Sequence, residues 1–421
     1  MTTEMNLKVT NSVNFYSGNN PRELVEKFSS PLYVYNENIF RTKCREMKNL
    51  CSYPNFHVNY AIKANTNLTL LSIAKEEGLF ADISSVGEIY AATSAGFMPN
   101  EMLFIVNNVT LAELKHAIDL DITVSVDSLS QLESYGKINE GGKVCLRFNP
   151  GIGGGHHPKV ITGGDDTKFG IMPEYIIEVK KLLARYNLKL VGINHHIGSQ
   201  NWGDLYLEGA KGLLNVAREF EDLEFIDFGG GFAIPYNKQN DEKPLDLKML
   251  GSSLDKIMYD YVKEVGKEIK FFIEPGRYIS AECGVLLGTV TTTKTCGAAN
   301  YNGTDMGFSV FARPTLYDSH HDIEIYRIEN KEIDFSNIKI TNIVGNQCES
   351  GDYIAKERKM PELIEGDILG ILDAGAYGYS MSSNYNHRPR PAEILIRHDG
   401  SIKLIRKRDT FKDMISNMLS I

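Results

Sequence analysis

Short apolar runs alternate with amphipathic segments along the first two thirds of the chain. Eight β-rich runs recur before residue 285, namely "HVNYAI" (57–62), "LFADIS" (79–84), "MLFIV" (102–106), "ITVSVD" (122–127), "KVCLRF" (143–148), "LVGINHHI" (190–197), "LEFIDF" (223–228) and "KFFIEP" (270–275). Segments with helical periodicity lie between most of them, such as "TLLSIAKEEG" (69–78) and "TLAELKHAIDL" (110–120). This alternation predicts an α/β fold, a (β/α)8 TIM-type barrel over residues 36–285. A doubly wound sheet is the alternative, but it usually has fewer strands.

The rhythm changes after about residue 285, where β-rich runs follow one another with few helices between them. These runs are "GTVTTTKTC" (288–296), "DIEIYRI" (322–328), "IKITNIVG" (338–345), "GDILGILDAG" (366–375), "EILIRH" (393–398) and "SIKLIRK" (401–407). They predict an all-β domain, sandwich-like or barrel-like, formed by residues 286–421 together with 1–35. The run "SPLYVYNENIF" (30–40) fits either domain, and a helix over 410–419 with Asp409 as its cap is expected to end the chain.

Chemically reactive residues stand at the predicted ends of four barrel strands. Lys63 ends the first strand, His195 and His196 end the sixth, "DFGGGF" (227–232) ends the seventh and "EPGRY" (274–278) ends the eighth. Catalytic groups of such barrels lie at the carboxyl ends of the strands, and the loops after strands seven and eight often bind phosphate. An amine, an imidazole, a glycine cradle and a carboxylate near an arginine are the groups that pyridoxal 5'-phosphate (PLP) requires, so PLP is the predicted cofactor.

Each of these features has a simpler interpretation when it is taken alone. A lysine at a strand end is usually solvated, and a run of glycines is usually a tight turn. His196 alone would be a structural histidine, and "EPGR" alone could be a turn with a surface ion pair. Their coincidence at four strand ends favours the cofactor site. The segment "TGGDDTKFG" (162–170) lacks the G-K-[ST] ending of a P-loop, so no nucleotide site is predicted there.

Composition narrows the class of protein further. A chain of 421 residues is long enough for two domains, and a net charge of −9 argues against nucleic acid and membrane surfaces as partners. The six cysteines are scattered without a C-x-x-C pair, which predicts a reducing cytoplasm and no metal site. The first residues lack the pattern of a signal peptide, and no apolar run reaches membrane-spanning length.

Eight motifs, in this order, carry a resemblance to a known family. They are "YAIKAN", "SSVGEIYAATSAGF", "HIGSQ", "DFGGGFAIPY", "EPGRYIS", "ARPTLY", "CESGDYIA" and "DAGAYGYSMSSNYNHRPRPAEIL". The chain resembles the alanine-racemase-type barrel family of PLP enzymes. The resemblance implies a homodimer with shared active sites and a small amino-acid substrate.

The resemblance also implies a role for each matching residue. Lys63 would form the Schiff base, His196 would stack on the cofactor ring and Glu274 would bond the pyridine nitrogen. The cofactor phosphate would be bound by Ser199, Gly229, Gly230, Gly231 and Tyr377. The substrate would be bound by Arg277, Arg313, Tyr317, Tyr377 and Glu349. Cys348 and Glu349 would reach the site of the neighbouring subunit, where Cys348 is the proton donor and Glu349 holds the far end of the substrate.

The acid at the ring nitrogen favours decarboxylation over racemisation. Loss of CO2 leaves a carbanion, and a carboxylate at the pyridine nitrogen favours the protonated ring, which is the stronger electron sink. Arg277, Arg313 and Tyr317 supply donors for a second substrate carboxylate. The resemblance of the "CES" motif implies that the substrate is meso-2,6-diaminopimelate, which would yield L-lysine and CO2 in the last step of lysine biosynthesis.

Two alternatives stay open. One is a related decarboxylase for D-lysine, D-ornithine or carboxynorspermidine. The other is an inactive homologue that acts as a binding protein, which the presence of both Lys63 and Cys348 disfavours. No role is predicted for His320, His321 or His387.

Overall fold

The computed structural model describes residues 8–155, 157–164, 166–327 and 331–419. These residues fall into two compact units. The β unit comprises the described residues of Met1–Phe40, Pro235–Lys243 and Ser280–Ile421, and the barrel unit comprises those of Arg41–Ile234 and Pro244–Ile279. Residues 1–7 of the predicted β domain lie outside the described part of the chain.

Strand β1 (Leu32–Asn36) belongs to the β unit, and the barrel is built from the strands that follow it. These are β2 (Phe56–Ala61), β3 (Phe80–Ile83), β4 (Met102–Ile105), β5 (Thr123–Val126), β6 (Lys143–Arg147), β7 (Lys189–Asn194), β8 (Phe225–Asp227) and β9 (Lys270–Ile273). Each pairs in parallel with its neighbour, and β2 pairs with β9, so the barrel closes. The predicted (β/α)8 barrel is confirmed, and each predicted run overlaps one strand.

The helices of the chain are mostly short and begin at side-chain caps. They are α1 (Val9–Ser12), α2 (Pro21–Phe28), α3 (Glu37–Lys48), α4 (Leu68–Glu76), α5 (Val86–Ser94), α6 (Leu111–Asp119), α7 (Leu129–Ile138), α8 (Ile176–Arg185), α9 (Asp204–Ala217), α10 (Leu247–Val265), α11 (Arg277–Ser280), α12 (Arg313–Tyr317) and α13 (Phe411–Ile415). Ser85, for example, accepts a hydrogen bond from the Glu88 amide and starts α5. In the described ranges, no helix has the length and apolarity needed to cross a bilayer.

The helix at the end of the chain corrects one prediction. Thr410 is the N-cap of α13, and its hydroxyl and Asp413 satisfy each other's amides in a capping box. Asp409 as the cap is therefore wrong. Its carboxylate instead pairs with Arg390 at 2.9 Å.

The β unit is organised around one large sheet that includes β1. Its other strands are β10 (Gly284–Cys296), β11 (Ala299–Thr304), β12 (Ile323–Tyr326), β13 (Ile338–Val344), β14 (Tyr353–Pro361), β15 (Ile368–Ile371), β16 (Ala392–Ile396) and β17 (Ile402–Arg406). Strand β1 lies between β10, to which it is antiparallel, and β16, to which it is parallel. The run 30–40 fitted either domain in the sequence. Its strand, β1, lies in the β unit. Leu32, Val34, Leu287 and Ile394 form part of the core beneath it.

Candidate active site

Lys63 lies in a short 3-10 turn (Ile62–Ala64) immediately after β2. Its Nζ is 2.6 Å from Oδ2 of Asp82, a fully buried carboxylate on the adjacent strand β3. The register that pairs Ala61 with Asp82 brings the two side chains together. A lysine can stand at the rim of this barrel because a buried carboxylate partners it. Asp82 was not among the predicted site residues.

Glu274 follows β9 and is 4% exposed. Burial, followed by the negative charges of Asp227 and Asp82, raises the pKa of Glu274 well above its usual range. Its Oε1 makes no hydrogen bond to any residue that the structure describes. A buried carboxyl group with a raised pKa and one oxygen still to be satisfied suits the nitrogen of a cofactor ring.

Asp227 ends β8 beneath the glycine loop and is fully buried. Its Oδ1 accepts the amide of Gly229 at 2.9 Å, and its Oδ2 accepts the side-chain amide of Asn59 at 2.9 Å. Burial raises the pKa of Asp227 to about 7. Asp227 thus anchors the loop and adds to the negative charge around Glu274.

His196 follows β7 and is a neutral imidazole. Burial, followed by the positive charges of Arg147 and Lys63, lowers the pKa of His196 well below its usual value. The amide of Gly230 donates to Nδ1 at 3.0 Å, so we assign the proton to Nε2. Nδ1 lies 3.9 Å from Oε2 of Glu274, but a neutral histidine makes no ion pair there.

The neighbouring His195 is 1% exposed. Burial and Arg147 lower the pKa of His195 to about 3, so this histidine is neutral as well.

The glycine loop after β8 requires glycine at each of its three positions. Gly229 and Gly231 have φ angles of +66° and +112°. A Cβ on Gly230 would lie 2.1 Å from the backbone oxygen of Glu274. The Gly229 oxygen accepts the Glu274 amide at 2.8 Å, which fixes the loop against β9. Strand β8 is the seventh strand of the barrel. A fixed glycine loop after the seventh strand of such a barrel suits a phosphate group.

Arg277 begins α11 and is buried, at 6% exposure. Its Nη2 and Nε donate to Oγ of Ser199 at 2.7 and 3.2 Å. The structure thus brings together a hydroxyl and a guanidinium that were predicted separately. Both can donate hydrogen bonds to an anionic ligand.

Arg147 ends β6 and is a second residue that the sequence prediction missed. It is 8% exposed, and its guanidinium lies 4.5 Å from the ring centroid of Phe169. Its positive charge favours neutral forms of both histidines. A charged residue inside an apolar strand, as in "CLRF" or "FADI", was the signal that could have found Arg147 and Asp82.

Arg313, in α12 of the β unit, is 1% exposed. Its Nη1 donates to the Tyr236 hydroxyl at 3.0 Å, and its Nη2 donates to Oγ of Ser319 at 3.3 Å. The guanidinium lies 4.8 Å from the ring centroid of Tyr236. Tyr236 belongs to segment 235–243, which follows the glycine loop closely in sequence. This segment therefore supplies a residue that lies beside Arg313, the arginine predicted to bind the substrate.

The two histidines without a predicted role have different partners in the β unit. The His321 ring lies edge-on to Tyr236 at 4.8 Å, and its Nδ1 is 2.7 Å from the Leu372 oxygen. Nε2 of His320 lies 3.1 Å from Asp322 and 2.9 Å from Arg358. His321 therefore packs against Tyr236, the partner of Arg313, and His320 lies between Asp322 and Arg358.

The remaining predicted residues also lie in the β unit. Tyr317 and Tyr377 are partly buried, and Tyr377 has a φ of +56°. Cys348 and Glu349 are exposed, next to Tyr385 and Asn386.

Comparisons with known proteins agree with this geometry. The family described as "Pyridoxal-dependent decarboxylase, pyridoxal binding domain" matches residues 37–281. The diaminopimelate decarboxylase of Methanothermobacter thermautotrophicus is 40% identical over 93% of this chain and 92% of its own. That of Escherichia coli K12 is 33% identical over 93% and 94%. The crystal structure of diaminopimelate decarboxylase from Helicobacter pylori, complexed with L-lysine, aligns with a TM-score of 0.85 and 29% identity over 94% and 98%.

A closed barrel with a lysine, a buried acid and a glycine loop at its strand ends, followed by a β domain, defines a PLP-dependent carboxy-lyase acting on amino acids. The chain belongs to the pyridoxal-dependent decarboxylases and, within them, to the diaminopimelate decarboxylase family. Its cofactor is PLP.

Proposed function

We propose that this chain decarboxylates meso-2,6-diaminopimelate to L-lysine and CO2, the last step of lysine biosynthesis. The observation that carries the proposal is Glu274, a buried carboxyl group with a raised pKa whose Oε1 has no partner among the described residues. Lys63 and His196 stand at the same end of the barrel. The relatives named above supply the substrate class.

The residues of the barrel unit would divide the binding of the cofactor among them. Lys63 would bind PLP covalently, His196 would lie against its ring and Glu274 would bond its nitrogen. The phosphate would be bound by Ser199, Gly229, Gly230, Gly231 and, from the β unit, Tyr377. When bound, PLP supplies an electron sink for the electron pair left on the substrate carbon as CO2 departs.

Glu274 would hold a proton at Oε1 and share it with the ring nitrogen. Burial raises the pKa of Glu274, which favours the protonated form of its carboxyl group. Asp82 would keep the Lys63 amine at the strand end, since Oδ2 lies 2.6 Å from Nζ. His196, fixed by the amide of Gly230, adds no positive charge there.

Two buried arginines and one exposed glutamate would make the main contacts to the substrate. Arg277, Arg313, Tyr317 and Tyr377 would bind its carboxylates, and Glu349 would bind the distal ammonium group. Both arginines are nearly fully buried, and a desolvated guanidinium strongly favours an anionic partner.

We also propose a homodimer in which Cys348 and Glu349 act at the site of a second copy of the chain, with Cys348 as the proton donor. Both residues are exposed in the single chain. Large apolar side chains are exposed as well, with Phe411 at 73%, Ile415 at 53% and Tyr385 at 40%. The β domain would thereby complete an active site of its partner.

The test is turnover by the purified, PLP-loaded protein. We expect CO2 and L-lysine in equal amounts from meso-2,6-diaminopimelate, at a rate at least tenfold above that for D-lysine, D-ornithine or carboxynorspermidine. Faster turnover of one of those three would reassign the substrate. PLP binding without turnover of any of the four would indicate a binding protein.

A further inference from the structure

The exposed Cys348 is held by one side chain at two points. Oδ1 of Asn386 accepts the backbone amide of Cys348 at 3.2 Å. Nδ2 of the same side chain donates to Sγ of Cys348 at 3.2 Å. Together these bonds fix both the backbone and the sulfur of the cysteine relative to one amide group.

Tyr385, which precedes Asn386 in the sequence, makes a similar contact to Glu349. The Tyr385 hydroxyl donates to Oε1 of Glu349 and lies 3.8 Å from Sγ of Cys348. The Tyr385 ring packs against Phe308 with 5.3 Å between the ring centroids. The hydroxyl thus touches both residues of the "CE" pair from a ring that is itself packed.

The loop that carries these two side chains is anchored in the β unit. Nδ2 of Asn384 donates to Oδ2 of Asp409 at 3.0 Å, and Asp409 also pairs with Arg390. Asn386 has a φ of +53°, a left-handed conformation that asparagine tolerates better than most residues. His387 follows with a φ of +56°. The backbone is therefore held in a strained turn that directs Asn386 and Tyr385 toward the "CE" pair.

We propose that Asn386 and Tyr385 are positioning residues of this decarboxylase, Asn386 for the thiol of Cys348 and Tyr385 for the carboxylate of Glu349. The inference rests on the proposed function. As the S–H bond of Cys348 breaks, its proton forms the new C–H bond at the carbon that lost CO2, and the S–H electron pair stays on sulfur. Nδ2–H of Asn386 then donates to the resulting thiolate. Charge-assisted hydrogen bonds of this kind are stronger than neutral ones.

Alkylation of Cys348 tests the role of Asn386 without relying on turnover. The PLP-loaded protein is treated with iodoacetamide from pH 6 to 10, and modification of the Cys348 peptide is followed by mass spectrometry. The exposed Cys296 serves as an internal control. Asn386→Asp keeps the acceptor for the Cys348 amide but replaces the donor to sulfur with a carboxylate oxygen. Asn386→Gly removes both contacts and still allows the positive φ.

We expect both variants to alkylate Cys348 about tenfold more slowly than wild type at neutral pH, because the thiolate that reacts has lost its hydrogen-bond donor. Cys296 should react alike in all proteins. His387→Asn, a change in the same turn, should leave Cys348 unaffected. Wild-type alkylation of Cys348 in both Asn386 variants would overturn the proposal for Asn386.

Steady-state kinetics tests Tyr385. Tyr385→Phe keeps the ring and removes the hydroxyl, so we expect KM for meso-2,6-diaminopimelate to rise about tenfold while PLP occupancy stays unchanged. An unchanged KM would overturn the role of Tyr385. Normal turnover by Cys348→Ala would instead refute the role of Cys348 as proton donor, and no turnover of meso-2,6-diaminopimelate by the wild type would refute the proposed function. The alkylation result on Asn386 would stand in either case.

Discussion

Ionisable side chains in the barrel interior make ion pairs and hydrogen bonds, but some of their polar atoms have no partner among the described residues. Lys63 has Asp82, and the oxygens of Asp227 accept two amides. Glu274 and Asp82 each keep one oxygen without a hydrogen bond to any described residue, and Glu274 is the residue that we propose to place at the ring nitrogen. An unsatisfied buried polar atom costs free energy, which cofactor binding can recover.

Glu274→Gln tests that interpretation. Glutamine keeps the shape and can still form a hydrogen bond, but it has no proton to share with a ring nitrogen. We expect PLP to stay bound and kcat to fall by roughly 10²-fold or more. The exposed Glu268→Gln is the matched control and should retain full activity. Unchanged kcat in Glu274→Gln would remove this residue from the cofactor.

At the scale of single residues, the sequence predicts which side chains belong to the candidate site better than it predicts their partners. Lys63, His196 and Glu274 could be predicted because their chemistry at strand ends is unusual. The partnership of Lys63 with Asp82 depends on strand register, which one sequence does not reveal. His320 and His321 had no predicted role, since their partners Arg358 and Tyr236 are distant in sequence.

Among the elements, the barrel strands followed the sequence pattern closely because parallel strands buried on both faces are short apolar runs. Strands β11 and β14 in the β unit escaped prediction. Their sequences, "ANYNGT" and "YIAKERKMP", are largely polar, and they owe their conformation to ladder pairing with β10 and β13. Segment 235–243 reads as part of the barrel, but it packs in the β unit, where Tyr236 contacts Arg313.

The glycine loop after β8 gives a prediction for a whole element. Gly230→Ala would place a Cβ 2.1 Å from the Glu274 backbone, so the loop must move. We expect affinity for PLP to fall about tenfold or more, measured by equilibrium dialysis with absorbance detection. Gly87→Ala in α5 is the matched control, because its nearest contact would be an ordinary 3.7 Å. Equal PLP affinity in both variants would exclude the loop from the phosphate site.

At the scale of the whole molecule, the raised carboxyl pKa values affect folding stability. Below about pH 4, Asp227 is protonated in both the folded and the unfolded chain. Between about pH 4 and the folded pKa of about 7, only the folded chain keeps this proton. The stabilisation that the bound proton gives is therefore lost as pH rises through that window.

Asp227→Asn should flatten this dependence. Urea unfolding of the cofactor-free protein from pH 4 to 8 measures it, and we expect a shallower fall in unfolding free energy than in wild type. The exposed Asp222→Asn should keep the wild-type slope. An unchanged slope in Asp227→Asn would mean that Asp227 does not carry a raised pKa.

We propose above that each working site combines Lys63 of one chain with Cys348 of a second. Lys63→Ala and Cys348→Ala should each be nearly inactive on meso-2,6-diaminopimelate. After the two variants are refolded together, about half of the dimers should be mixed, each with one intact site of two, so activity should recover to about a quarter of wild type. Two affinity tags confirm the exchange of subunits. Activity that stays at the level of the single variants, despite confirmed exchange, would contradict the shared site.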